Sequence, residues 1–175
     1  MPPSLFIRAN LLTNLGRASS AMAISEYIVV RDPVNPVLLF NLGGDYVMVG
    51  RYDEAIATFR TGLSLSPDYS AGHLVLGEAL LLKGEPKAAL AQMQQEKAEV
   101  LRLFGLALAY HALGQKAQSD AALMTFIAKH TRDSPYLIAE VYAFRGETDL
   151  AFEWLDKAVQ YADPALSQGT QVDPL

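Results

Sequence analysis

Apolar residues recur at three- and four-residue steps along the chain. Leu38, Leu42, Tyr46 and Val49 are one such series, and that spacing puts them on one face of a helix. Strict alternation of apolar and polar residues, the mark of a half-buried strand, is lacking. Each apolar-periodic segment leads to a glycine, and an alanine-rich segment follows. The glycines are Gly16, Gly50, Gly84, Gly114 and Gly146, spaced 34, 34, 30 and 32 residues apart. A fixed period of this length predicts stacked supersecondary units. The pattern predicts five two-helix units, ten helices and no sheet.

Aligned on the turn glycine, the units share further positions. A small residue stands in each first helix: Ala9, Gly43, Gly77, Ala107 and Ala139. Three residues later come Leu12, Tyr46, Leu80, Tyr110 and Tyr142. The second helices carry Ala21, Ala55, Ala89, Ser119 and Ala151, and four residues on Ser25, Phe59, Met93, Leu123 and Leu155. Small residues at two facing positions let paired helices approach closely, while the larger ones fill the space between units. Glycine at each turn supplies the positive φ that ends a helix. Pro86 suits the first position of a helix, where its missing N–H costs nothing. Asp53, Glu54 and Glu147 place negative charge at helix starts, where the dipole favours it. An irregular helical bundle with chance glycine spacing is the alternative, and the shared register argues against it.

The best-preserved unit, Pro36 to Tyr69, combines Leu42-Gly43, Tyr46, Gly50, Tyr52, Ala55, Phe59 and Pro67. It resembles the tetratricopeptide repeat, a helix–turn–helix unit. The resemblance implies an all-α fold, a right-handed α–α superhelix of about five repeats. The expected boundaries are 2–35, 36–69, 70–99, 100–131 and 132–165, with a tail over 166–175. The first unit departs most, with Arg8 where Leu is usual and Ser25 where an aromatic is usual. The third and fourth lack the closing proline that Pro33 and Pro67 supply.

The third unit is four residues short. Four residues are about one helical turn, so the faces beyond the deletion stay in phase. Lys87 to Leu113 holds no proline and only Gly105. A single long helix would break the antiparallel stacking. A tight turn near Gln95–Ala98, with a shortened second helix, preserves it and is the arrangement expected.

Composition narrows the function. Of 175 residues 51% are apolar and 19% charged, which excludes a disordered chain. There is no cysteine, hence no disulfide framework and no thiolate zinc site. A net charge of −5 argues against nucleic acid as a partner. No apolar stretch approaches the ~20 residues that cross a bilayer, and Met1-Pro2-Pro3-Ser4 lacks the pattern of a signal peptide. A cytoplasmic protein that does not insert into membranes is expected. His73, His111 and His130 form no metal-ligand spacing, the glycines form no phosphate-cradling loop, and no nucleophile elbow is present. Neither catalysis nor a cofactor nor a metal is expected.

Stacked repeats curve, and their first helices line a concave groove. The resemblance assigns to that groove Phe6, Asn10, Val37, Phe40, Asn41, Met48, Leu74, Glu78, Leu81, Leu101, Phe104, Leu108, His111, Tyr136, Glu140 and Phe144. Some of these would instead pack between units. The run Phe6, Phe40, Phe104, Tyr136 and Phe144 is more aromatic than packing requires. Chaperone-docking relatives grip a C-terminal carboxylate with two Asn and three basic residues. Asn10 and Asn41 fall at the Asn positions, but Phe6, Ala71 and Val75 replace the basic ones, so no charge-assisted grip forms. The groove suits an apolar peptide or helix, and the partner is a protein, a peptide or a second copy of the chain. Leu155 and Val159 near the end of the array would favour self-association.

From Phe152 through Asp163-Pro164 to Asp173-Pro174-Leu175 the chain also resembles the ends of repeat arrays in bacterial signalling proteins of the adenylate cyclase or winged-helix regulator type. That resemblance implies an alternative, a regulatory domain of a larger protein. A small-ligand sensor using the apolar groove is a third reading.

The register makes a direct prediction. Ala55→Leu overpacks the helix contact and lowers stability by roughly 1–3 kcal/mol, whereas Ala57→Leu, two residues on, has little effect. Thermal melts of the two variants check it, and equal melting temperatures would contradict the register.

Overall fold

The computed structural model describes residues 15–166 together with Leu5, Arg8, Ala9, Leu11 and Leu12. Phe6, Asn10 and the tail from residue 167 lie outside the described residues. Nine bounded helices and no strand occur among those described. They are α1 (Ala18–Val29), α2 (Pro36–Met48), α3 (Tyr52–Leu65), α4 (Gly72–Leu82), α5 (Pro86–Met93), α6 (Glu99–Ala112), α7 (Lys116–His130), α8 (Pro135–Phe144) and α9 (Thr148–Gln160). Leu5, Arg8, Ala9, Leu11 and Leu12 are also helical, in the region where the tenth helix is expected. Pro36, Pro86 and Pro135 open their helices, where the proline φ is already helical.

Consecutive helices pack as pairs, and α2, α4, α6 and α8 also touch one another in series. The result is an all-α superhelix with these four helices on its inner side. The turns explain the antiparallel pairing. At Gly50 φ is +75°, and the Arg51 N–H reaches back to the Tyr46 carbonyl at 2.8 Å. That bond caps an otherwise orphaned carbonyl at the helix end. Glu85 to Leu80, Gln115 to Tyr110 and Glu147 to Tyr142 repeat it at the later turns.

Within pairs, the small positions lie at the contact. Ala21, Ala55, Ala89, Ala107 and Ser119 are fully buried, while Ala57 is exposed. Ser119 Oγ donates to the Ala107 carbonyl at 2.8 Å, so its hydroxyl is satisfied inside the contact. The apolar interior falls into two clusters that meet at α4. Leu76 and Leu80 join Phe40, Tyr46 and Phe59, whereas Leu74 joins Met93, Phe104, Phe126 and Trp154.

The irregular places have local causes. Ser25, where an aromatic is usual in such repeats, is buried and donates to Asp45 Oδ2 at 2.6 Å. A polar pair thus fills the first interface. In the short third unit α5 ends at Met93 and the chain turns before α6 begins at Glu99, in the region of the turn expected near Gln95–Ala98. Arg102 donates to the carbonyls of Glu96 and Lys97 and holds that turn. Charged pairs tie successive units. Arg51 meets Glu26 at 3.2 Å, Lys83 meets Asp53 at 2.7 Å, and Arg145, its side chain only 5% exposed, meets Asp120.

Gly43 and Gly44 test the close contact in neighbouring positions of α2. A methyl at Gly43 would collide with the Phe59 ring, whereas one at Gly44 meets nothing within 4 Å. Gly43→Ala is expected to destabilise by roughly 1–3 kcal/mol. Gly44→Ala is expected to stabilise by about 0.5–1 kcal/mol through helix propensity. Chemical denaturation of both variants reads the opposite signs directly.

Candidate functional site

The inner face carries two adjoining cavities. The larger, about 510 Å³, lies between α2 and α4 and is lined by Phe40, Asn41, Gly44, Asp45, Val47, Met48, Phe59, Tyr69, Ser70, Ala71, Val75, Glu78 and Ala79. The smaller, about 340 Å³, runs on to α6 and α8 along Val47, Glu78, Leu81, Leu82, Phe104, Leu108, Glu140 and Phe144. Val47 and Glu78 belong to both, so the two form one trough. Its floor is aromatic. Phe40 stacks on Tyr69 with ring centroids 3.9 Å apart and on Phe59 at 5.6 Å.

The space in the larger cavity has a cause in sequence. Gly44, Glu78, Leu108 and Glu140 each directly follow the small residue of a first helix, so they form a row along the trough. Glycine at the first place of that row leaves the cavity open above it.

Of the expected groove residues, Phe40, Asn41, Met48, Glu78, Leu81, Phe104, Leu108, Glu140 and Phe144 line the trough. Phe40 and Phe104 do so from the core, at 8% and 4% exposure. Leu74 is buried against Gly105 between units, because that glycine admits its side chain. Val37, Leu101, His111 and Tyr136 line neither cavity, although the His111 ring meets Phe144 edge-on at 5.8 Å. Phe6 and Asn10 lie outside the described residues. Asn41, expected to face a ligand, donates its amide to its own helix, to the Val37 carbonyl at 2.8 Å. Tyr69 and Val47 were missed. An aromatic two residues after the closing Pro67 was the available signal for Tyr69.

Charge in the trough has one sign. Its lining holds Asp45, Glu78 and Glu140 and no Lys or Arg. Asp45 is buried and accepts from Ser25. Glu78 is the only carboxylate on α4, and Glu140 the only charged residue on α8. Burial pushes the Glu78 carboxyl up to about 7, and the nearby Glu140 carboxylate adds to the shift. Burial likewise pushes Glu140 up to about 7, opposed by a hydrogen bond from Tyr136. No ion pair reaches either carboxylate among the described residues. His73 Nδ1 lies 3.0 Å from Gln92 Oε1, away from the trough. Among the described residues, no three His, Asp or Glu side chains converge to hold a metal ion, and no helix is long and apolar enough to cross a membrane.

Comparison with known proteins agrees with this architecture. Models of the tetratricopeptide repeat match residues 46–100 and 103–131. The chain contains tetratricopeptide repeats. It is 30% identical over 89 residues to the tetratricopeptide repeat and J domain-containing co-chaperone DNJ1 of Fusarium oxysporum f. sp. lycopersici. The match takes in 51% of this chain and 17% of that relative, so the chain spans a small part of its length. Among solved structures, the thermophilic repeat protein TTC0263 of Thermus thermophilus superposes with a TM-score of 0.69 at 23% identity, over 91% of this chain and 96% of that one. YrrB, a repeat protein with an unusual peptide-binding site, superposes with a TM-score of 0.60 at 21% identity, over 97% and 91%. These structural likenesses concern the fold.

The raised carboxyls make stability depend on pH. An unfolded glutamate titrates near 4.5, so between there and about 7 the folded chain holds protons that the unfolded chain releases. Stability therefore falls as pH rises through that window. Glu78→Gln, Glu140→Gln removes the effect. The double variant is expected to gain on the natural chain from about pH 5 to about pH 8, by on the order of 1–3 kcal/mol after allowing for the partial exposure of both groups. Thermal melts across that range measure it, and a constant difference would contradict the shifts.

Proposed function

We propose that this chain is a protein-interaction scaffold that holds an apolar segment of a partner protein in its concave trough. The observation that carries the reading is the continuous apolar cavity along α2, α4, α6 and α8. Such a concavity, largely apolar with a few polar points, has the make-up of a binding site. The peptide-binding site named for YrrB is in keeping with it. In this reading the chain is not an enzyme, works in the cytoplasm, and is kept from nucleic acid by its net charge of −5.

A second copy is the rival occupant. Phe152 and Val159, on the outward side of α9, are 64% and 68% exposed. Leu155, expected to be uncovered there, packs against the core. The signalling-domain reading has no observation of its own here, since its stretch runs into residues outside the described ones.

The test uses Met48→Asp, Phe144→Asp, because these side chains line the trough at 37% and 47% exposure and tolerate a charge. Phe40 and Phe104 are unsuitable, as a charge in the core would unfold the chain. Peptides selected on the natural chain are expected to lose about tenfold or more in affinity for the double variant, with unchanged circular dichroism. Equal affinity would overturn the groove reading. If sedimentation shows oligomers that Phe152→Asp, Val159→Asp dissolves while the trough variant does not, the sticky surface is α9.

A further inference from the structure

The row Gly44, Glu78, Leu108, Glu140 sets two carboxylates on either side of a leucine, next to an opening over a glycine. Both carboxylates line a largely apolar trough whose lining includes no Lys or Arg. The other inner-face carboxylate, Asp45, is satisfied by Ser25. Among the described residues Glu78 has no such partner, and Glu140 has the hydroxyl of Tyr136 alone. Most of the charged groups on the neighbouring helices are engaged elsewhere. Asp53 binds Lys83, Glu54 binds Arg51, and Glu99 binds Lys129. Lys87 on α5 is exposed, Arg102 is held by backbone carbonyls, and Lys157 lies over the Trp154 ring. The groups left facing the pair are Asp45, Tyr69, Tyr136 and, beside Phe144, His111.

We propose that the trough selects a protein segment carrying a lysine or arginine among apolar side chains, with the cation between Glu78 and Glu140 and an apolar side chain in the opening over Gly44. This rests on the groove reading above and adds the chemistry of the partner. Charge complementarity is the argument. A cation brought between two part-buried carboxylates makes charge-assisted hydrogen bonds in a poorly solvated place, where they are stronger than at the surface. A purely apolar segment would leave both carboxylates further desolvated and unpaired, which is costly. An acidic segment would add repulsion. The row therefore discriminates as well as attracts.

The test is selection of a displayed random peptide library on the full chain, followed by affinity measurement of the best binder and of its norleucine version, in which the basic residue is replaced. The expected binders carry Lys or Arg flanked by apolar residues. Norleucine is expected to weaken binding about tenfold on the natural chain, and by less than about twofold on Glu78→Gln, Glu140→Gln, the signature of a direct coupling. Affinity for the basic peptide should rise from about pH 6 to about pH 8 on the natural chain and stay flat on the double variant, as the carboxyls ionise. Circular dichroism of the double variant verifies its fold. Binders that lack a basic residue, yet are lost in Met48→Asp, Phe144→Asp, overturn the cation assignment and leave the groove reading standing. An equal norleucine effect on both proteins also overturns it. If no binder depends on the trough, both readings fall.

Discussion

The close approach of the two helices within each unit is the contact on which the rest of the molecule depends. It needs a small residue on both sides. Gly43 lies under the Phe59 ring, and Gly77 lies under Met93 and beside the Ala89 carbonyl. Where the pair is Ala107 and Ser119, the hydroxyl bonds the facing backbone. Because each pair is drawn tight, the larger residues are pushed to the interface between units. There Phe59, Met93 and Leu123 fill the interior at 2%, 0% and 4% exposure. The inner helices then stand side by side, and a concave face follows from the stacking rather than from any separate element.

The shortened third unit shows how much deviation this contact absorbs. Losing a turn from α5 leaves fewer side chains to span the gap to α6. Met93 reaches both sides, touching the positions of Gly77 and Gly105. Thioether flexibility suits such an irregular space. Gly105 is thus explained by the deletion, since a side chain there would meet Met93 and Leu74. The first interface solves a different problem. Without an aromatic at Ser25, the Ser25–Asp45 bond and the Tyr46 hydroxyl on Glu26, at 2.9 Å, carry the junction. Ion pairs such as Arg51–Glu26 are half exposed and add little in energy, but they fix the stagger between units.

Much of the fold was legible because it rests on periodic necessities. Turn glycines must have positive φ, and Gly50, Gly84, Gly114 and Gly146 all do. The shared small positions follow from the helix contact itself. The site was less legible, because depth is not periodic. Phe40 and Leu74 hold equivalent-looking places on inner helices. One forms the cavity floor because Gly44 beside it is open, while the other is taken into the core by Gly105. That difference depends on the size of residues far along the chain, which no single helix pattern contains. Asn41 misled for a similar reason, as a helical Asn can satisfy itself on the carbonyl four residues back.

The carboxylates of the inner face separate packing from binding. Leu108 shows that an apolar side chain is compatible with this row, and it is buried there. Glu78 and Glu140 occupy the equivalent places on helices that are otherwise almost wholly apolar. Their raised pKa values mean that ionising them costs the folded chain stability. Packing alone would favour leucine at both. A carboxylate that serves structure looks like Asp45, which is buried and bonded, or Asp53, which ties one unit to the next. Glu78 does neither. It shares its cavity with Asn41, Asp45, Tyr69 and Ser70 but is paired with no cation among the described residues, so in the proposed reading a basic side chain of a partner compensates its desolvation.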